Sequence, residues 1–485
     1  MRFNYEVIAS LFGYLLLLNG FFMLCCLPFS IYYNEGDHVA IITSASITLG
    51  TGYLLILFTK NPKSKELKKR DGYVIVTLGW LLMSFFGTLP YLLSGAIPNL
   101  TDAFFETISG FSTTGASILH DIESVHKGIL FWRSLTQWIG GMGIIVLTIA
   151  ILPVLGIGGM QLFVAEAPGI SPDKLQPRIK ETAKRLWAIY MGLTFLEAML
   201  LWAGEMNFYD ALNHSLTTMA TGGFSTKNAS IAYYSSPYTH YIVILFMFLA
   251  GTNFTISYLA LHGEFKKVLR NEEFRFYFIF CLAIGLMIAL GIMVISNTPA
   301  EKALRSGLFQ VISIITTTGF VTADYTAWSP FITVVFFVLM FFGGSAGSTA
   351  GGVKIVRHVV LVKNSLLELE RQMHPTAVIP VRLNKSAVER DITFKVLAFI
   401  MIYISIFAMG SVIMAMIGVD FETALGSVAT SLGNIGPGIG GVGPAHNFAD
   451  IPDIGKWFLS SLMLLGRLEL FTVLILFTPY FWRRH

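Results

Sequence analysis

Long apolar runs alternate with short polar connections along the whole chain. Ten of the runs reach the length of about 20 residues that a membrane-spanning helix needs. They lie at 8–30, 39–59, 72–95, 128–153, 186–204, 240–261, 276–296, 330–350, 393–418 and 457–480. Only 13% of the 485 residues are Asp, Glu, Lys or Arg, against about a quarter in a soluble domain. The pattern therefore predicts an all-α integral membrane protein with ten transmembrane helices.

Positive charge is concentrated in alternate connections and sets the expected orientation. The basic segments are KNPKSKELKKR at 60–70, the connections 174–185, 264–275 and 354–390, and the C-terminal WRRH. Because basic loops stay on the cytoplasmic side, we expect both termini in the cytoplasm. A cleaved signal peptide is a minor alternative, since no small-residue cleavage site follows the first apolar run.

The polar connections are too short to hold a catalytic core. The longest are 154–185 and 355–392, so a regulatory domain would have to belong to another chain. The three cysteines, of which two are adjacent, all lie in apolar runs and suggest neither a disulfide framework nor a metal site.

A recurring pattern occupies four outward-facing connections. It reads DAFFETISGFSTTGA at 102–116, DALNHSLTTMATGGF at 210–224, SGLFQVISIITTTGF at 306–320 and TALGSVATSLGNIGP at 423–437. Each copy begins with a residue type that commonly caps a helix N-terminus: Asp102, Asp210, Ser306 and Thr423. Thirteen residues later each copy has a glycine: Gly115, Gly223, Gly319 and Gly436. Each copy therefore predicts a capped helix too short to span, followed by a glycine loop.

Four such loops around one axis would suit a cation pore. Non-helical backbone at membrane depth occurs where it is buried in protein or lines a watery cavity. Rings of backbone carbonyls can replace the hydration shell of potassium, and the negative ends of the short helices would favour a cation. Ordinary re-entrant packing elements are the alternative, which four copies in register disfavour.

Four longer motifs lie between and after the repeats. They are LTQWIGGMGIIVL at 135–147, ILPVLGIGGMQL at 151–162, GGSAGSTAGGVKIVR at 343–357 and GRLELFTVLILFTP at 466–479. With the four repeats, these motifs resemble the Trk/Ktr/HKT superfamily of potassium transporters, most closely its TrkH/TrkG-type bacterial subunit. The resemblance implies four membrane–pore–membrane repeats around one pseudo-four-fold ion pore, after two extra N-terminal transmembrane helices.

The resemblance also implies the division of the chain. We expect the two extra helices in 1–70 and repeats in 71–160, 161–265, 266–385 and 386–485. The corresponding pore loops are 102–117, 210–226, 306–322 and 423–438.

Four filter segments are implied to bind potassium through their backbone carbonyls. They are Thr113, Thr114 and Gly115; Thr221, Gly222 and Gly223; Thr317, Thr318 and Gly319; and Asn434, Ile435 and Gly436. Some relatives have Ser at the first filter glycine and favour sodium, so glycine at all four positions points to potassium. The fourth segment departs from Thr-Thr-Gly, and such an asymmetric ring should select less sharply than a symmetric one.

Nine residues before each filter glycine lies a polar residue: Glu106, His214, Gln310 and Ser427. Each could brace the filter by hydrogen bonding or be a solvated residue of the first helical turn, and the sequence leaves both open. We expect Glu106 to attract cations at the outer mouth. His214 has no second ligand at metal spacing, which argues against a metal site.

A glycine-rich break interrupts the eighth span at FFGGSAGSTAGGVK, 341–354. Such a sequence forms a poor helix, and tight packing of small residues is one explanation. The resemblance implies instead an intramembrane gate loop below the filter that obstructs the pore. Its residues are Gly343, Gly344, Ser345, Gly347, Ser348, Thr349, Gly351 and Gly352, with Lys354 at its inner end.

Arg467 lies within the last apolar run, with Glu469 close by. An intramembrane charge is costly and usually functional. We expect Arg467 to repel cations or hold the gate closed; a structural ion pair with Glu469 is the alternative.

The expected function is potassium uptake across the bacterial inner membrane, either channel-like or proton-coupled. The resemblance implies a homodimer and a cytosolic TrkA-type ring that binds the regulatory nucleotide. No organic cofactor is expected on this chain, because GIGGVG at 438–443 lacks the βαβ context of a dinucleotide site. No nucleic acid is expected as a partner. A Ktr-type sodium-dependent subunit is the alternative. A secondary transporter would show inverted repeats, and an enzyme would show a catalytic constellation that the apolar runs lack.

Overall fold

The computed structural model describes residues 3–59, 69–143, 179–374, 376–377 and 379–483. Within these ranges the regular secondary structure is helical apart from one short hairpin, in which Arg382–Leu383 pairs with Ser386–Ala387, and irregular segments connect the helices. The predicted all-α class is therefore confirmed for this part of the chain. The basic segment 60–68, the motif 151–162 and most of the connection 154–185 lie outside the described residues.

The N-terminal helices form an antiparallel pair. Tyr5–Leu24 and Leu27–Tyr33 make up one apolar span, and His38–Phe58 returns beside it. The contact depends on small residues, since a Cβ built on Gly13 would lie only 2.7 Å from the carbonyl oxygen of Gly52. Close approach of this kind is typical of helices packed within a membrane.

Each of the four repeats begins with a long helix and continues with a short one. The long helices are Lys69–Gly87 with Leu89–Ser94, Ile179–Trp202, Glu272–Ser296 and Arg390–Met416. The short ones, called pore helices below, are Leu100–Phe111, Phe208–Met219, Ala300–Ile315 and Phe421–Gly433. They contain 12 to 16 residues, fewer than the roughly 20 that a span needs. The short helices thus stand where the repeat pattern predicts them.

The predicted N-cap residues are wrong, because each pore helix begins earlier. The first, second and fourth are capped by Asn99, Asn207 and Asp420, whose side chains accept hydrogen bonds from backbone amides of the first turn. The third begins after Pro299, which offers no side-chain cap. The glycine-based alignment of the repeats located the helix ends correctly but placed their beginnings too late. Asp102, Asp210, Ser306 and Thr423 therefore lie inside the helices.

The second helix of every repeat is short and contains 10 to 15 residues. These helices are Lys127–Gly141, Pro237–Ala250, Pro330–Leu339 and Asp453–Arg467. In the second and fourth repeats the chain then bends by 110° and 111° into Phe254–Leu261 and Phe471–Phe477. The predicted eighth span, 330–350, is corrected here, because its helix ends at Leu339 and gives way to an irregular loop before the helix Ile355–Met373. Each bend turns the C-terminal helix of the pair away from the direction of the N-terminal helix.

Shorter elements complete the described chain. They are the helices Phe265–Arg270 and Pro479–Trp482 and the 3₁₀ turns Ser230–Tyr233, Tyr325–Ala327, Gly440–Val442 and Ile475–Phe477. Among the described residues, five helices are long and apolar enough to cross a membrane, or seven when each bent pair counts as one span. The GIGGVG segment contains the 3₁₀ turn Gly440–Val442 and is not a strand–helix junction. All three cysteines are free.

Candidate ion-conducting site

The four pore helices end in the same hydrogen-bond pattern. In the first repeat the amide of Thr113 donates to the carbonyl of Gly110 at 2.9 Å, and the amide of Thr114 donates to that of Ser109 at 2.9 Å. The same two bonds recur at Thr221 and Gly222, at Thr317 and Thr318, and at Asn434 and Ile435. This is the Schellman arrangement. It commits both amides to the pore helix, so the segment presents carbonyl oxygens rather than N–H groups to a cation.

The first residue of every filter segment adopts a left-handed backbone conformation. Its φ is 55° at Thr113, 53° at Thr221, 55° at Thr317 and 54° at Asn434. A β-branched residue rarely takes this conformation, which costs roughly 1–2 kcal/mol relative to the right-handed one. Asn434 tolerates this conformation more readily, so the strain falls on the three threonines, and such strain persists only where the surrounding structure imposes it. The sequence predicted unusual backbone only at the glycines.

The filter segments touch one another in cyclic order. Each filter glycine holds its Cα against the carbonyl oxygen of the middle residue in the next segment, where an added Cβ would collide with that oxygen. The pairs are Gly115 with Gly222, Gly223 with Thr318, Gly319 with Ile435, and Gly436 with Thr114. The fourth segment thus meets the first, and the four segments form a closed ring. The twelve residues predicted for the filter therefore lie in segments that touch one another, and their role in binding an ion stays a prediction.

The fourth segment joins the ring despite its different sequence. Asn434 has the same left-handed φ as the threonines and is fully buried. Its side-chain amide donates to the hydroxyl of Thr114 at 3.0 Å and to the carbonyl of Met463 at 2.8 Å. Asn434 therefore links the fourth segment directly to the first.

Three of the four polar pore-helix residues brace the backbone that leaves the filter. Glu106 accepts bonds from the Ser117 hydroxyl at 3.0 Å and the Ile118 amide at 2.9 Å. His214 contacts the Ser225 hydroxyl at 2.8 Å, and Gln310 donates to the carbonyl of Ala323 at 3.0 Å. Ser427 instead bonds within its own helix. The geometry therefore favours bracing over a solvated first turn for the first three.

Glu106 does not have the character expected of an outer cation attractor. It is completely buried and forms an ion pair with Arg133 at 2.6 Å, so its charge is offset inside the protein. No cluster of three or more His, Cys, Asp or Glu side chains among the described residues is arranged to hold a metal, and His214 remains a bracing residue.

The glycine-rich break forms a compact loop, called the intramembrane loop below. Its base is closed by the Gly343 amide bonding Val353 at 2.8 Å and the Ile355 amide bonding Gly344 at 3.1 Å. The eight small gate residues predicted from the sequence all lie between these bonds or take part in them. Lys354 is buried at the end of the loop and donates to the carbonyl of Ala350. Simple helix packing of small residues is thereby excluded for this segment.

The intramembrane loop meets the filter ring on the side where the pore helices end. The amide of Gly351 donates to the hydroxyl of Thr317 at 2.7 Å. The hydroxyl of Thr349 donates to the carbonyl of Met219, the last residue of the second pore helix, at 2.9 Å. The amide of Ser345 donates to Gly251, where the second helix of the second repeat breaks, at 2.9 Å. The loop is therefore bonded to the third filter segment and to two helix ends of the second repeat.

Arg467 closes the same side of the ring. Its guanidinium donates to the Thr113 hydroxyl at 3.1 Å, to the Thr349 carbonyl at 2.8 Å and to the Gly141 carbonyl at 3.0 Å, and also to the carbonyl of Gly140. It thus touches the first filter segment, the intramembrane loop and the end of a second helix. Glu469, the partner of Arg467 in the alternative structural interpretation, forms a partly buried ion pair with Arg357.

Sequence reasoning missed two side chains next to the ring. Arg133 and Gln137, on the second helix of the first repeat, bond the backbone of Ser225 at 3.0 Å and of Gly222 at 2.7 Å. The available signal was the second filter sequence, which has glycine where the first and third have threonine.

Comparison with known proteins agrees with this geometry. A family model for TrkH, described as a cation transport protein, matches residues 40–483. The Trk system potassium uptake protein TrkH of Escherichia coli is 41% identical over 487 residues, covering 99% of this chain and 100% of that protein. The corresponding protein of Halomonas elongata is 40% identical over 482 residues, covering 99% of both chains. The crystal structure of the potassium transporter TrkH from Vibrio parahaemolyticus superimposes with a TM-score of 0.89 at 38% identity and covers 100% of both chains.

Proposed function

The chain belongs to the TrkH family of cation transport proteins, and we propose that it takes up potassium through the ring of four filter segments. One observation carries this proposal: each filter glycine packs against a carbonyl of the next segment, in an unbroken cycle. A closed ring of carbonyls can replace the water around a dehydrated potassium ion. Full-length similarity to TrkH proteins favours this function over the Ktr-type alternative.

Potassium is the transported ion in this account, and the twelve filter residues are its binding site. The amides of the first two residues in each segment are used by the pore helix, which leaves the carbonyl oxygens to face the ion. The threonine hydroxyls have a secondary role, because several of them bond neighbouring side chains.

The gate consists of the intramembrane loop and Arg467. The loop bonds Thr317 of the third filter segment and Arg467 bonds Thr113 of the first, so together they span the inner end of the ring. A positive guanidinium at this point also repels an incoming cation. Opening therefore requires the loop to leave these contacts.

The proposal includes the arrangement of the chain in the membrane and its partners. The protein crosses the bacterial inner membrane several times, with ten spans, cytoplasmic termini and the repeat boundaries given by the sequence. It assembles as a homodimer, and a cytosolic TrkA-type ring that binds nucleotide docks on its basic inner surface. These features rest on the charge pattern and on the resemblance.

Potassium-dependent growth tests this function. A bacterium that lacks its own potassium uptake systems should grow on low potassium when it produces this protein together with the regulatory subunit. Rubidium influx should rise in the same cells and stay at background in cells with the empty vector. Absence of both growth and influx, with the protein present in the membrane, would refute the proposal.

A further inference from the structure

The second filter segment differs from its neighbours at its middle position. The middle threonines of the first and third segments have hydroxyls bonded to the residue that ends their own pore helix, Thr114 to Ser112 at 2.7 Å and Thr318 to Thr316 at 2.8 Å. Gly222 has no side chain, so the second segment cannot anchor itself in this way. The anchor there must come from elsewhere.

The side chain of Gln137 occupies the corresponding place. Its amide nitrogen donates to the carbonyl of Gly222 at 2.7 Å, and its amide oxygen accepts from the amide of Phe224 at 3.0 Å. Gln137 is completely buried. A Cβ built on Gly222 would collide with the Gln137 amide. Glycine at 222 therefore leaves the space that glutamine at 137 fills.

Arg133, one helical turn before Gln137, also bonds the backbone of the second filter region. Its guanidinium donates to the carbonyl of Ser225 at 3.0 Å and lies 3.6 Å from the ring centroid of Phe224. Positions four apart share one helix face, so both side chains reach the same stretch of backbone. The Glu106 carboxylate, 2.6 Å away, orients Arg133 and offsets its charge.

The other second helices carry apolar residues at the position that Gln137 occupies, four residues before the helix ends. These residues are Phe246, Val335 and Met463. A polar side chain at this helix position therefore occurs only in the first repeat. It contacts the one filter segment whose middle residue is glycine.

We propose that Gln137 is a positioning residue that fixes the Gly222 carbonyl and thereby helps the filter to discriminate potassium from sodium, with Arg133 in a supporting role. This inference rests on the proposed potassium filter. Discrimination depends on the position and number of the coordinating carbonyls. A Gly222 carbonyl released from Gln137 can move to suit a smaller ion.

The first test replaces Gln137 by methionine, which keeps the length of the side chain and removes both hydrogen bonds. The ratio of potassium to sodium permeability, measured from reversal potentials in proteoliposomes, should fall about fivefold, the factor expected when about 1 kcal/mol of hydrogen bonding is lost. Ser134→Ala is the matched control. Ser134 is buried on the same helix but bonds only its own helix, at Leu130, and its replacement should leave the ratio unchanged.

The second test exploits the shared space of residues 137 and 222. Gly222→Ala should impair potassium flux severely in the wild-type background, because the new methyl group collides with Gln137. In the Q137A background the same substitution should cost at least fivefold less flux. This comparison also tests the role of Gln137 if the Q137M variant does not fold.

The outcomes separate this inference from the filter assignment. A wild-type permeability ratio in Q137M, or equal damage by G222A in both backgrounds, would overturn the role of Gln137. Loss of folded protein in both Q137M and Q137A would do so too, because it would make Gln137 a structural residue. Gly319→Ser, remote from Gln137, must alter the ratio in any case; if it does not, the filter assignment itself fails.

Discussion

The guanidinium of Arg467 donates a hydrogen bond to the backbone carbonyl of Thr349 at 2.8 Å. Arg467 ends the second helix of the fourth repeat, whereas Thr349 lies in the intramembrane loop of the third. The bond therefore ties two repeats together beside the proposed filter, where Arg467 also bonds Thr113. The proposed gate can open only when this contact is released.

Arg467→Ala should raise potassium conductance about tenfold. It removes both the positive charge and the bonds to Thr349 and Thr113, and a charge-assisted bond contributes about 1.5–3 kcal/mol, of which about 1.4 kcal/mol corresponds to a factor of ten. Single-channel or liposome flux recordings measure the effect. Arg467→Lys keeps the charge and should remain closer to wild type. Unchanged flux in the alanine variant, or failure to fold, would assign Arg467 a structural role.

Gly115→Ser should admit more sodium relative to potassium. The residue has a φ of 78°, and any Cβ there meets the carbonyl of Gly222, so the ring must distort. The left-handed strain alone is roughly 1–2 kcal/mol, enough for a change of about tenfold in the permeability ratio. Reversal potentials under opposed potassium and sodium gradients give the ratio.

Gly95→Ser is the control for that substitution. Gly95 has nearly the same φ, 74°, but open space around its Cα. It should therefore suffer the backbone strain without a change in selectivity. Equal permeability ratios in G115S and the wild type would count against the filter assignment.

Asn434→Ala should weaken both the ring and its selectivity. The substitution removes the bonds to Thr114 and Met463 and leaves the Met463 carbonyl without this donor. Each unmet buried group costs about 1–3 kcal/mol, so the thermal midpoint of the solubilised protein should drop along with the permeability ratio. Asn434→Gly tolerates the left-handed backbone and should show the same loss of selectivity. A wild-type ratio in both variants would show that the amide does not hold the fourth segment in place.

Glu106→Ala should destabilise the protein by about 3–5 kcal/mol, as expected when one partner of a buried ion pair is removed. The change leaves the Arg133 guanidinium buried without its carboxylate. Thermal unfolding in detergent measures the effect. Lys395→Ala, which breaks an exposed pair with Asp391, is the control and should cost less than about 1 kcal/mol. Similar midpoints for the two variants would mean that the Glu106–Arg133 pair is not important for stability.

The sequence was sufficient to predict the features that repeat. Glycines at 115, 223, 319 and 436 aligned four segments, and all four lie in the ring because only glycine fits against the neighbouring carbonyl in that backbone conformation. The break at 341–354 was also predicted from the sequence, since a run of Gly, Ser and Thr cannot sustain a helix.

What the sequence did not reveal depends on contacts between distant residues. The left-handed threonines follow from Schellman caps, for which glycine is the usual signal. The helix starts at Asn99 and Asn207 were missed because alignment on the glycines favoured Asp102 and Asp210, which are equally good capping types. Glu106 was misread as an attractor because its partner, Arg133, lies 27 residues away along the chain.

A bi-ionic reversal potential on the purified protein tests the central claim most directly. With potassium on one side of the membrane and sodium on the other, the wild-type protein should reverse close to the potassium equilibrium potential. Serine at any one of the four filter glycines should move the reversal potential toward zero. A wild-type reversal potential near zero, or four serine variants indistinguishable from it, would contradict a potassium filter built from this ring.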